Sequence, residues 1–246
     1  LCMTWIKICG ITNLEDAQLA VDAGADALGF VFYKKSPRRV DVETARTIVA
    51  QLPERVEKVG VFVEDSSDQQ FEIYNTVHLT AIQQHLDLEM SSPPGGNRAT
   101  GLDCFWQRPK LYKVLSAPWI LAEEDRLNGM IASFSVWGDN IPEEARQIMP
   151  DLFGTFFLDA GTAAQPGGTG TTFDWKKAVP LVDSMRQKLK VVVAGGLNPG
   201  NVAEAIQTLH PWGVDVSSGT EAAPGKKDPQ KVRAFVQAVR SADKAA

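Results

Sequence analysis

The stretch Val191-Val-Val-Ala-Gly-Gly-Leu-Asn-Pro199 decides the fold of this chain, and Gly213-Val-Asp-Val-Ser-Ser-Gly-Thr220 repeats its pattern shortly afterwards. Each stretch is an apolar, mostly β-branched run that ends in small residues where a helix should begin, which is typical of a strand-to-helix turn. Two such turns at the end of a long strand–helix series are typical of the phosphate site between strands 7 and 8 of a (β/α)8 barrel. The chain before residue 191 would then have to supply six earlier strands.

The same two turns predict where an anion binds. Asn198 is a suitable cap for the helix after the first stretch, so we expect the N–H groups of Gly195 and Gly196 at the positive end of that helix. Ser218 and Gly219 hold the equivalent place after the second stretch. A phosphate group fits such a position, so we predict that Gly195, Gly196, Ser218 and Gly219 bind phosphate.

The remainder of the chain alternates between strand and helix patterns. Apolar runs predict strands at residues 5–9, 27–32, 56–63, 79–83, 110–115 and 155–159, and helical spacing predicts helices at 14–23, 41–52, 68–75, 174–189 and 229–239. This alternation predicts a parallel sheet covered by helices. Because there are eight units and no long linker, a closed barrel is favoured over an open doubly wound sheet, and we predict a single TIM-barrel domain over residues 1–246.

Two segments depart from this period and are predicted to be insertions, at about residues 86–109 and 118–151. The first contains Ser91-Ser-Pro-Pro-Gly-Gly-Asn97, which suits neither a strand nor a helix interior. It leaves strand 4 on the face where a barrel carries its active site, so we interpret it as a lid or as a disordered loop. The second has helical patterns at 123–131 and 142–149 and an alternating, strand-like run at 133–137.

Composition and charge argue against several classes of protein. The net charge of -5 and the pI near 5.3 do not suit nucleic acid or an anionic membrane as the main partner, because either requires a basic surface. No apolar stretch is long enough to span a bilayer. The three cysteines are widely separated, at Cys2, Cys9 and Cys104, and the three histidines are scattered, so we predict neither disulfides nor a metal site. We therefore expect a cytoplasmic protein.

The active site of a (β/α)8 barrel lies at the carboxyl ends of its strands, so residues there are the candidates for chemistry. They are Cys9 after strand 1, Arg38 after strand 2, Gln83 and His85 at strand 4, Asp159 after strand 6 and Asp215 in strand 8. A thiol and a carboxyl group at one barrel mouth are suited to act as base and acid. A cysteine taken alone is more often a core residue, and it is the joint placement at one face that favours a function.

Six segments of the chain carry short motifs at successive positions of the predicted barrel. They are Lys7-Ile-Cys-Gly-Ile-Thr12, Gly29-Phe-Val-Phe32 with Ser36-Pro-Arg38, Leu158-Asp-Ala160, Gly167-Gly-Thr-Gly170 with Thr172-Phe-Asp-Trp175, Ala194-Gly-Gly-Leu-Asn-Pro199 and Val214-Asp-Val-Ser-Ser-Gly219. In this order they resemble the phosphoribosylanthranilate isomerase family, over about residues 5–239.

The resemblance implies the Amadori rearrangement of N-(5-phosphoribosyl)anthranilate to 1-(2-carboxyphenylamino)-1-deoxy-D-ribulose 5-phosphate, a step of tryptophan biosynthesis that needs no cofactor. The expected partner is then a small phosphosugar substrate, and the expected assembly is a monomer or a homodimer. The family's general base falls on Cys9, which would remove the proton at ribose C2. Its general acid falls on Asp159, which would protonate the furanose oxygen.

The chemistry of these two residues sets expectations for their pKa values. Cys9 lies shortly before the first predicted helix, whose positive end would lower the pKa of the thiol toward neutrality. Asp159 must hold a proton near pH 7, which requires burial or a nearby negative charge.

The remaining site residues are assigned by the same resemblance. The carboxylate of the anthranilate group would bind Arg38, and Asp215 would help to place the substrate. Gln83 and His85 are assigned to substrate binding, although the family's Val-Gln-Leu-His-Gly is Ile82-Gln-Gln-His-Leu86 in this chain.

Two other classes of function stay open at this point. Another phosphosugar barrel enzyme, such as a lyase or a synthase, would share the glycine turns but typically places a lysine at a strand end, and the predicted strand ends lack one. A non-catalytic phosphosugar-binding protein would keep the glycine turns without needing Cys9 and Asp159. The presence of both residues favours the isomerase.

Overall fold

The computed structural model describes residues 3–85, 110–135, 154–161 and 170–245. Eight parallel strands form a closed barrel in chain order, and the first strand pairs with the last. The strands are β1 (Trp5–Cys9), β2 (Ala27–Val31), β3 (Glu57–Phe62), β4 (Ala81–His85), β5 (Lys110–Ser116), β6 (Thr155–Asp159), β7 (Lys190–Val193) and β8 (Gly213–Val216). The predicted (β/α)8 fold is confirmed.

Helices cover the outside of this barrel. The described helices are α1 (Leu14–Ala23), α2 (Val42–Val49), α3 (Ser67–Val77), α4 (Ala117–Leu121), α5 (Glu124–Ser135), α6 (Trp175–Met185), α7 (Val202–Leu209) and α8 (Pro229–Ala245). A 3-10 turn (Ser218–Thr220) and a hairpin of β9 (Glu221–Ala223) and β10 (Lys226–Lys227) lie between β8 and α8. The described helices lack the combination of length and apolar character needed to cross a membrane.

Strand side chains alternate between two layers of the core. On β1, the fully buried Ile6 and Ile8 belong to the layer between the barrel and its helices. A second cluster fills the barrel interior and consists of Ala27, Val59, Ala81, Tyr112, Val114, Phe157, Val192 and Ala194. Trp5 and Trp212 pack against this cluster and stack with ring centroids 5.0 Å apart. The interior is therefore filled at the amino ends of the strands, which leaves the carboxyl ends for a site.

One predicted helix start is wrong. Helix α7 begins at Val202, and its N-cap residue is Asn201 rather than Asn198. Asn198 lies in the preceding turn, where its side-chain oxygen accepts from the N–H of Gly200 at 2.8 Å and its own N–H donates to Asn201 Oδ1 at 2.8 Å. Both asparagines suit a cap, and this pair of hydrogen bonds makes a turn that moves the helix start further along the chain.

The second predicted insertion is described in part. Helix α5 confirms the helical pattern predicted at 123–131, and because it continues to Ser135 the strand-like interpretation of residues 133–135 is wrong. A run of five alternating residues is too short a pattern to override helical spacing. Helix α5 packs against α6 in the outer layer. Residues 86–109, with the interpretation as a lid, and the predicted helix at 142–149 lie outside the described residues, so both insertions stay predictions.

Candidate active site

A cavity of about 360 Å³ opens at the carboxyl ends of the barrel strands. Nine of the ten predicted site residues line it, namely Cys9, Arg38, Gln83, His85, Asp159, Gly195, Gly196, Asp215 and Ser218. Gly219 does not line it and packs instead under the preceding loop, where a Cβ atom would come within 1.9 Å of Leu197 O. The predicted base, acid and binding groups therefore surround one space that suits a small ligand.

Lys7 lies inside the barrel beside the candidate base. Its side chain is fully buried, and its Nζ donates to Asp215 Oδ1 at 3.0 Å and lies 5.5 Å from the ring centroid of Phe157. A Cβ atom on Gly29 would be 2.6 Å from Cys9 Sγ and 3.0 Å from Lys7 Nζ, so these two atoms lie within about 5.6 Å of each other. Burial alone would lower the pKa of Lys7, but the nearby Asp215 and Cys9 raise it above the ordinary value. The ammonium group therefore stays charged.

The expectation of a lowered pKa for Cys9 is wrong. Burial raises the pKa of the Cys9 thiol above its ordinary value, although the charge of Lys7 acts in the opposite direction. Helix α1 begins only at Leu14, and the side chain of Asn13 already accepts the N–H of Asp16 in its first turn. Because the thiolate is disfavoured by burial, Cys9 holds its proton at neutral pH and becomes a strong base once that proton is lost.

Asp159 ends β6 at the same barrel mouth. Burial raises the pKa of its carboxyl group, whereas the N–H of Gly161, which donates to Oδ1, and the charge of Lys7 act to lower it. The direction of the shift agrees with the protonated carboxyl group that the sequence predicts for a general acid.

Arg38 reaches the cavity but is already paired. Its Nε and Nη2 donate to the two carboxylate oxygens of Glu221, each at 2.9 Å. The Glu221 side chain is only 4% exposed, and it also accepts from Lys227 Nζ at 3.3 Å. Among the described residues, Nη1 of Arg38 has no hydrogen-bond partner. The Nη1 edge is therefore the part of Arg38 that is available to an anion.

Gln83 and His85 face the cavity from β4 as neutral polar groups. Gln83 is buried, and its Oε1 has no hydrogen-bond partner among the described residues. Burial, with a contribution from the charge of Lys7, lowers the pKa of His85 to about 4, so the imidazole is neutral at pH 7. A buried acceptor without a partner is costly, which favours a ligand donor opposite Gln83.

The two glycine turns present backbone N–H groups. Gly195 and Gly196 have positive φ values of 82° and 65°, which glycine adopts readily. A Cβ atom on Gly196 would also come within 2.4 Å of the backbone of Thr171. The N–H groups of Gly195, Gly196, Ser218 and Gly219 donate to no other backbone group in the described part of the chain. Successive backbone donors of this kind make a site for an anion.

Sequence reasoning missed three charged residues of this site, namely Lys7, Glu221 and Lys227. Lys7 had a signal, because it stands two residues before Cys9 in an apolar strand and so shares its face. Lys7 is the third of the five residues of β1 and does not stand at its carboxyl end, yet its side chain lies inside the barrel beside Asp215. However, its pairing with Asp215 keeps it charged, which does not suit a nucleophilic lysine. Glu221 and Lys227 lie in a stretch that resembles an ordinary loop, and no local pattern marks them.

Comparison with known proteins identifies the family. A family model for N-(5'phosphoribosyl)anthranilate (PRA) isomerase matches residues 6–92 and 141–238. The N-(5'-phosphoribosyl)anthranilate isomerase of Pseudomonas fluorescens is 43% identical over 234 residues, which are 95% of this chain and 97% of that protein. The corresponding protein of Chlorobaculum parvum is 42% identical over 242 residues, with 98% and 97% covered.

Solved structures agree with this assignment. The phosphoribosyl anthranilate isomerase of Thermotoga maritima matches with a TM-score of 0.72 and 33% identity, covering 97% of this chain and 100% of that one. A phosphoribosyl anthranilate isomerase in complex with reduced 1-(o-carboxyphenylamino)-1-deoxyribulose 5-phosphate matches with a TM-score of 0.70 at the same identity and coverage. The chain belongs to the phosphoribosylanthranilate isomerase family.

Proposed function

We propose that this chain isomerises N-(5'-phosphoribosyl)anthranilate to 1-(2-carboxyphenylamino)-1-deoxyribulose 5-phosphate, with Cys9 as the general base and Asp159 as the general acid. The observation that carries the proposal is the shared cavity, in which both groups have raised pKa values and lie with an arginine and the glycine turns. An acid, a base and two sites for anions are what a substrate with one carboxylate and one phosphate requires.

Asp159 acts as the acid. The raised pKa favours its protonated form, so the carboxyl group can give a proton to the furanose oxygen and open the ring. The carboxylate that remains is stabilised by the N–H of Gly161 and by the charge of Lys7. Before the transfer, burial raises the pKa of Asp159 by more than the Gly161 N–H and the Lys7 charge lower it, so the carboxyl group keeps its proton. After the transfer, the same two groups stabilise the Asp159 carboxylate.

Cys9 removes the proton at ribose C2. The thiol must first lose its own proton, and the Lys7 ammonium group, within about 5.6 Å, stabilises the thiolate that forms. Because burial raises the pKa of Cys9, little thiolate is present at pH 7, but it is a stronger base than an exposed thiolate. The rate is therefore expected to rise with pH only while Asp159 keeps its proton, and to level off once Asp159 ionises, because each further gain of thiolate is then matched by a loss of the acid.

The two anionic ends of the substrate bind on different loops. The phosphate accepts from the N–H groups of Gly195, Gly196, Ser218 and Gly219, and the anthranilate carboxylate accepts from Nη1 of Arg38. The ribose then lies between these ends, over the acid and the base.

Three polar side chains contact the middle of the substrate. Asp215 keeps Lys7 in place through one oxygen and offers the other to a sugar hydroxyl. Gln83 accepts from a substrate donor through Oε1, and neutral His85 contributes a further polar contact. Gly219 contributes through its backbone alone.

The assembly and location of the protein follow from the same proposal. A solved relative is described as generated monomers of the dimeric phosphoribosylanthranilate isomerase from Thermotoga maritima, and we propose a monomer or a homodimer for this chain. We also propose a cytoplasmic location, in keeping with a step of amino-acid biosynthesis.

The proposal is tested by following the fluorescence of freshly prepared phosphoribosylanthranilate. The purified protein should convert it without an added cofactor. Since general acid–base groups contribute roughly 10²–10⁴-fold, Cys9→Ala and Asp159→Asn should each lower kcat by about that factor. The Kd of the reduced product should change little in both variants, because neither group carries the binding of the two anionic ends.

Cys2→Ala is the matched control for the loss of a thiol and should keep wild-type activity. Near-full activity of Cys9→Ala would assign the base to another residue. Tight binding of the reduced product without turnover by the wild-type protein would favour the non-catalytic phosphosugar-binding alternative.

A further inference from the structure

Arg38, Glu221 and Lys227 form a buried ionic cluster at one side of the cavity. Arg38 makes a two-point contact with Glu221, with Nε–Oε1 and Nη2–Oε2 distances of 2.9 Å. Lys227 Nζ lies 3.3 Å from Glu221 Oε1. The exposed side-chain fractions are 13% for Arg38, 4% for Glu221 and 0% for Lys227. Burial lowers the pKa of Lys227 below its ordinary value, whereas the charge of Glu221 acts to raise it. With Lys227 protonated, a carboxylate shared by two cations leaves the cluster with one net positive charge, which matches a singly charged anion.

The ionic cluster is hydrogen-bonded through Lys227 to the backbone at the carboxyl end of β1, the strand that carries Cys9. Lys227 Nζ donates to the carbonyl oxygen of Cys9 at 2.6 Å and to that of Ser217 at 3.1 Å. With Glu221, these two carbonyl groups occupy all three N–H donors of the ammonium group. The backbone N–H of Lys227 donates to buried Asp16 at 2.8 Å. Such a fully satisfied buried lysine holds its neighbours in one arrangement.

Glycine backbones also confine the stem of Arg38 and the carboxylate of Glu221. A Cβ atom on Gly10 would come within 2.9 Å of Arg38 Cδ and 3.0 Å of Ser217 Oγ, so the arginine stem lies directly on this backbone. Gly225, at the tip of the β9–β10 hairpin, donates its N–H to Glu221 Oε1 at 3.4 Å. The carbonyl of Gly225 accepts from Thr12 Oγ1 at 2.6 Å. The hairpin is thus bonded to the segment after β1, and Glu221 cannot follow Arg38 if the arginine swings away.

From this geometry we propose that Glu221 and Lys227 are positioning residues for Arg38 and thereby determine specificity for substrates that carry a carboxylate. Glu221 holds Nε and Nη2, so that the Nη1 edge is the one presented to the cavity. Lys227 anchors Glu221 and offsets its charge, which keeps the cluster attractive to an anion. The inference rests on the proposed function for the identity of the ligand, whose carboxylate would meet this edge.

Charge alone predicts the opposite effect from positioning. Glu221→Gln removes a negative charge beside Arg38, so electrostatics alone would strengthen the binding of a carboxylate. If Glu221 acts by positioning, the released guanidinium group adopts several rotamers and the binding of a carboxylate weakens. The sign of the change in Kd therefore separates the two explanations.

The experiment compares two ligands by calorimetry. The first is reduced 1-(2-carboxyphenylamino)-1-deoxyribulose 5-phosphate, and the second is the same molecule with phenyl in place of carboxyphenyl. Glu221→Gln should weaken the first ligand by about ten- to a hundred-fold, the range for a charge-assisted hydrogen bond, and the second by less than about three-fold. In an Arg38→Met background, Glu221→Gln should add no further loss for the first ligand, because Glu221 acts through Arg38.

Glu43→Gln is the matched control. Glu43 on α2 accepts from Arg46 Nη2 at 2.6 Å, this pair is 70% and 50% exposed, and neither residue lines the cavity, so the same charge is removed without a positioning contact. Both ligands should bind Glu43→Gln as they bind the wild-type protein. If Glu221→Gln did not fold, Glu221→Asp would replace it, since the shortened side chain keeps the charge but moves the two oxygens away from Arg38.

Three outcomes would overturn the inference. They are tighter or unchanged binding of the carboxylate ligand by folded Glu221→Gln, equal weakening of both ligands, and a wild-type protein that binds the two ligands equally. Selective weakening supports it. Because the readout is a binding constant, a wild-type protein that binds the carboxylate ligand selectively but shows no turnover would contradict the proposed function and leave this inference supported.

Discussion

Replacing Lys7 by methionine tests how the barrel interior sets the basicity of Cys9. Methionine retains most of the apolar stem and removes the charge. Two unit charges at most about 5.6 Å apart interact by at least about 3 kcal/mol at an effective dielectric constant of about 20. Because one pKa unit corresponds to about 1.4 kcal/mol, the pKa of the Cys9 thiol should rise by at least about two units in Lys7→Met.

The shift can be measured by the pH dependence of alkylation with iodoacetamide. The chain has three cysteines, so a background with Cys2→Ser and Cys104→Ser leaves Cys9 as the one thiol. The thiolate is the species that reacts, and the midpoint of the rate profile therefore reports the pKa. If Cys9 is the base, kcat/KM near pH 7 should also fall in Lys7→Met, because a smaller fraction of the thiol is ionised.

A second variant separates the charge of Lys7 from that of its partner. Lys7→Met leaves Asp215 as an unpaired buried carboxylate, at a cost of about 3–5 kcal/mol in the free energy of unfolding. Adding Asp215→Asn removes both charges, and the pKa of Cys9 should then rise less than in the single variant, because Asp215 raises it in the wild-type protein. A folded Lys7→Met protein whose midpoint moves by less than about half a unit would refute the electrostatic role of Lys7.

Two further changes test the acid and the phosphate loop. Burial raises the pKa of Asp159 above 3.8, so the folded state holds this proton more tightly than the unfolded chain, and stability is lost as the pH rises through the folded-state pKa. Asp159→Asn removes that loss, and urea unfolding should show a larger gain over the wild-type protein near pH 8 than near pH 4; a gain independent of pH would contradict this. Gly219→Ala would bring Cβ within 1.9 Å of Leu197 O, so the loop backbone must shift, and we expect a lower Tm and weaker binding of inorganic phosphate. Gly200→Ala, whose Cβ would lie 3.2 Å from Asn198 Oδ1, is the control. Equal effects of the two changes on Tm and on phosphate binding would contradict a specific role of Gly219 in the phosphate loop.

The barrel could be predicted because its signals are local. The apolar run at 191–193 and the glycine pair after it specify a strand and a turn without any knowledge of distant residues. Once eight such units are counted, parallel topology brings all carboxyl ends to one face, so Cys9 and Asp159 could be placed at one mouth from opposite parts of the chain. The cavity that both residues line confirms this placement.

The charges of the site could not be predicted in the same way, because their partners are far apart in the chain. Lys7 pairs with Asp215, and Arg38 pairs with Glu221, with more than a hundred residues between the partners in each case. The prediction of a lowered pKa for Cys9 was wrong for a related reason. A nearby helix start is visible in the sequence, whereas burial inside the barrel depends on all eight strands and outweighs it.

The site divides its tasks between strands and loops, and one residue joins the two parts. Cys9 and the Lys7–Asp215 pair belong to the sheet, so changes in the loops should alter binding without altering the pKa of Cys9. Arg38 and Glu221 belong to the loops, so changes there should alter Kd without altering the acid or the base. Lys227 contacts both parts, since its Nζ donates to the carbonyl oxygen of Cys9 and to Glu221. Selectivity for the carboxylate and the position of the base are therefore coupled through Lys227, and a substitution there should change both.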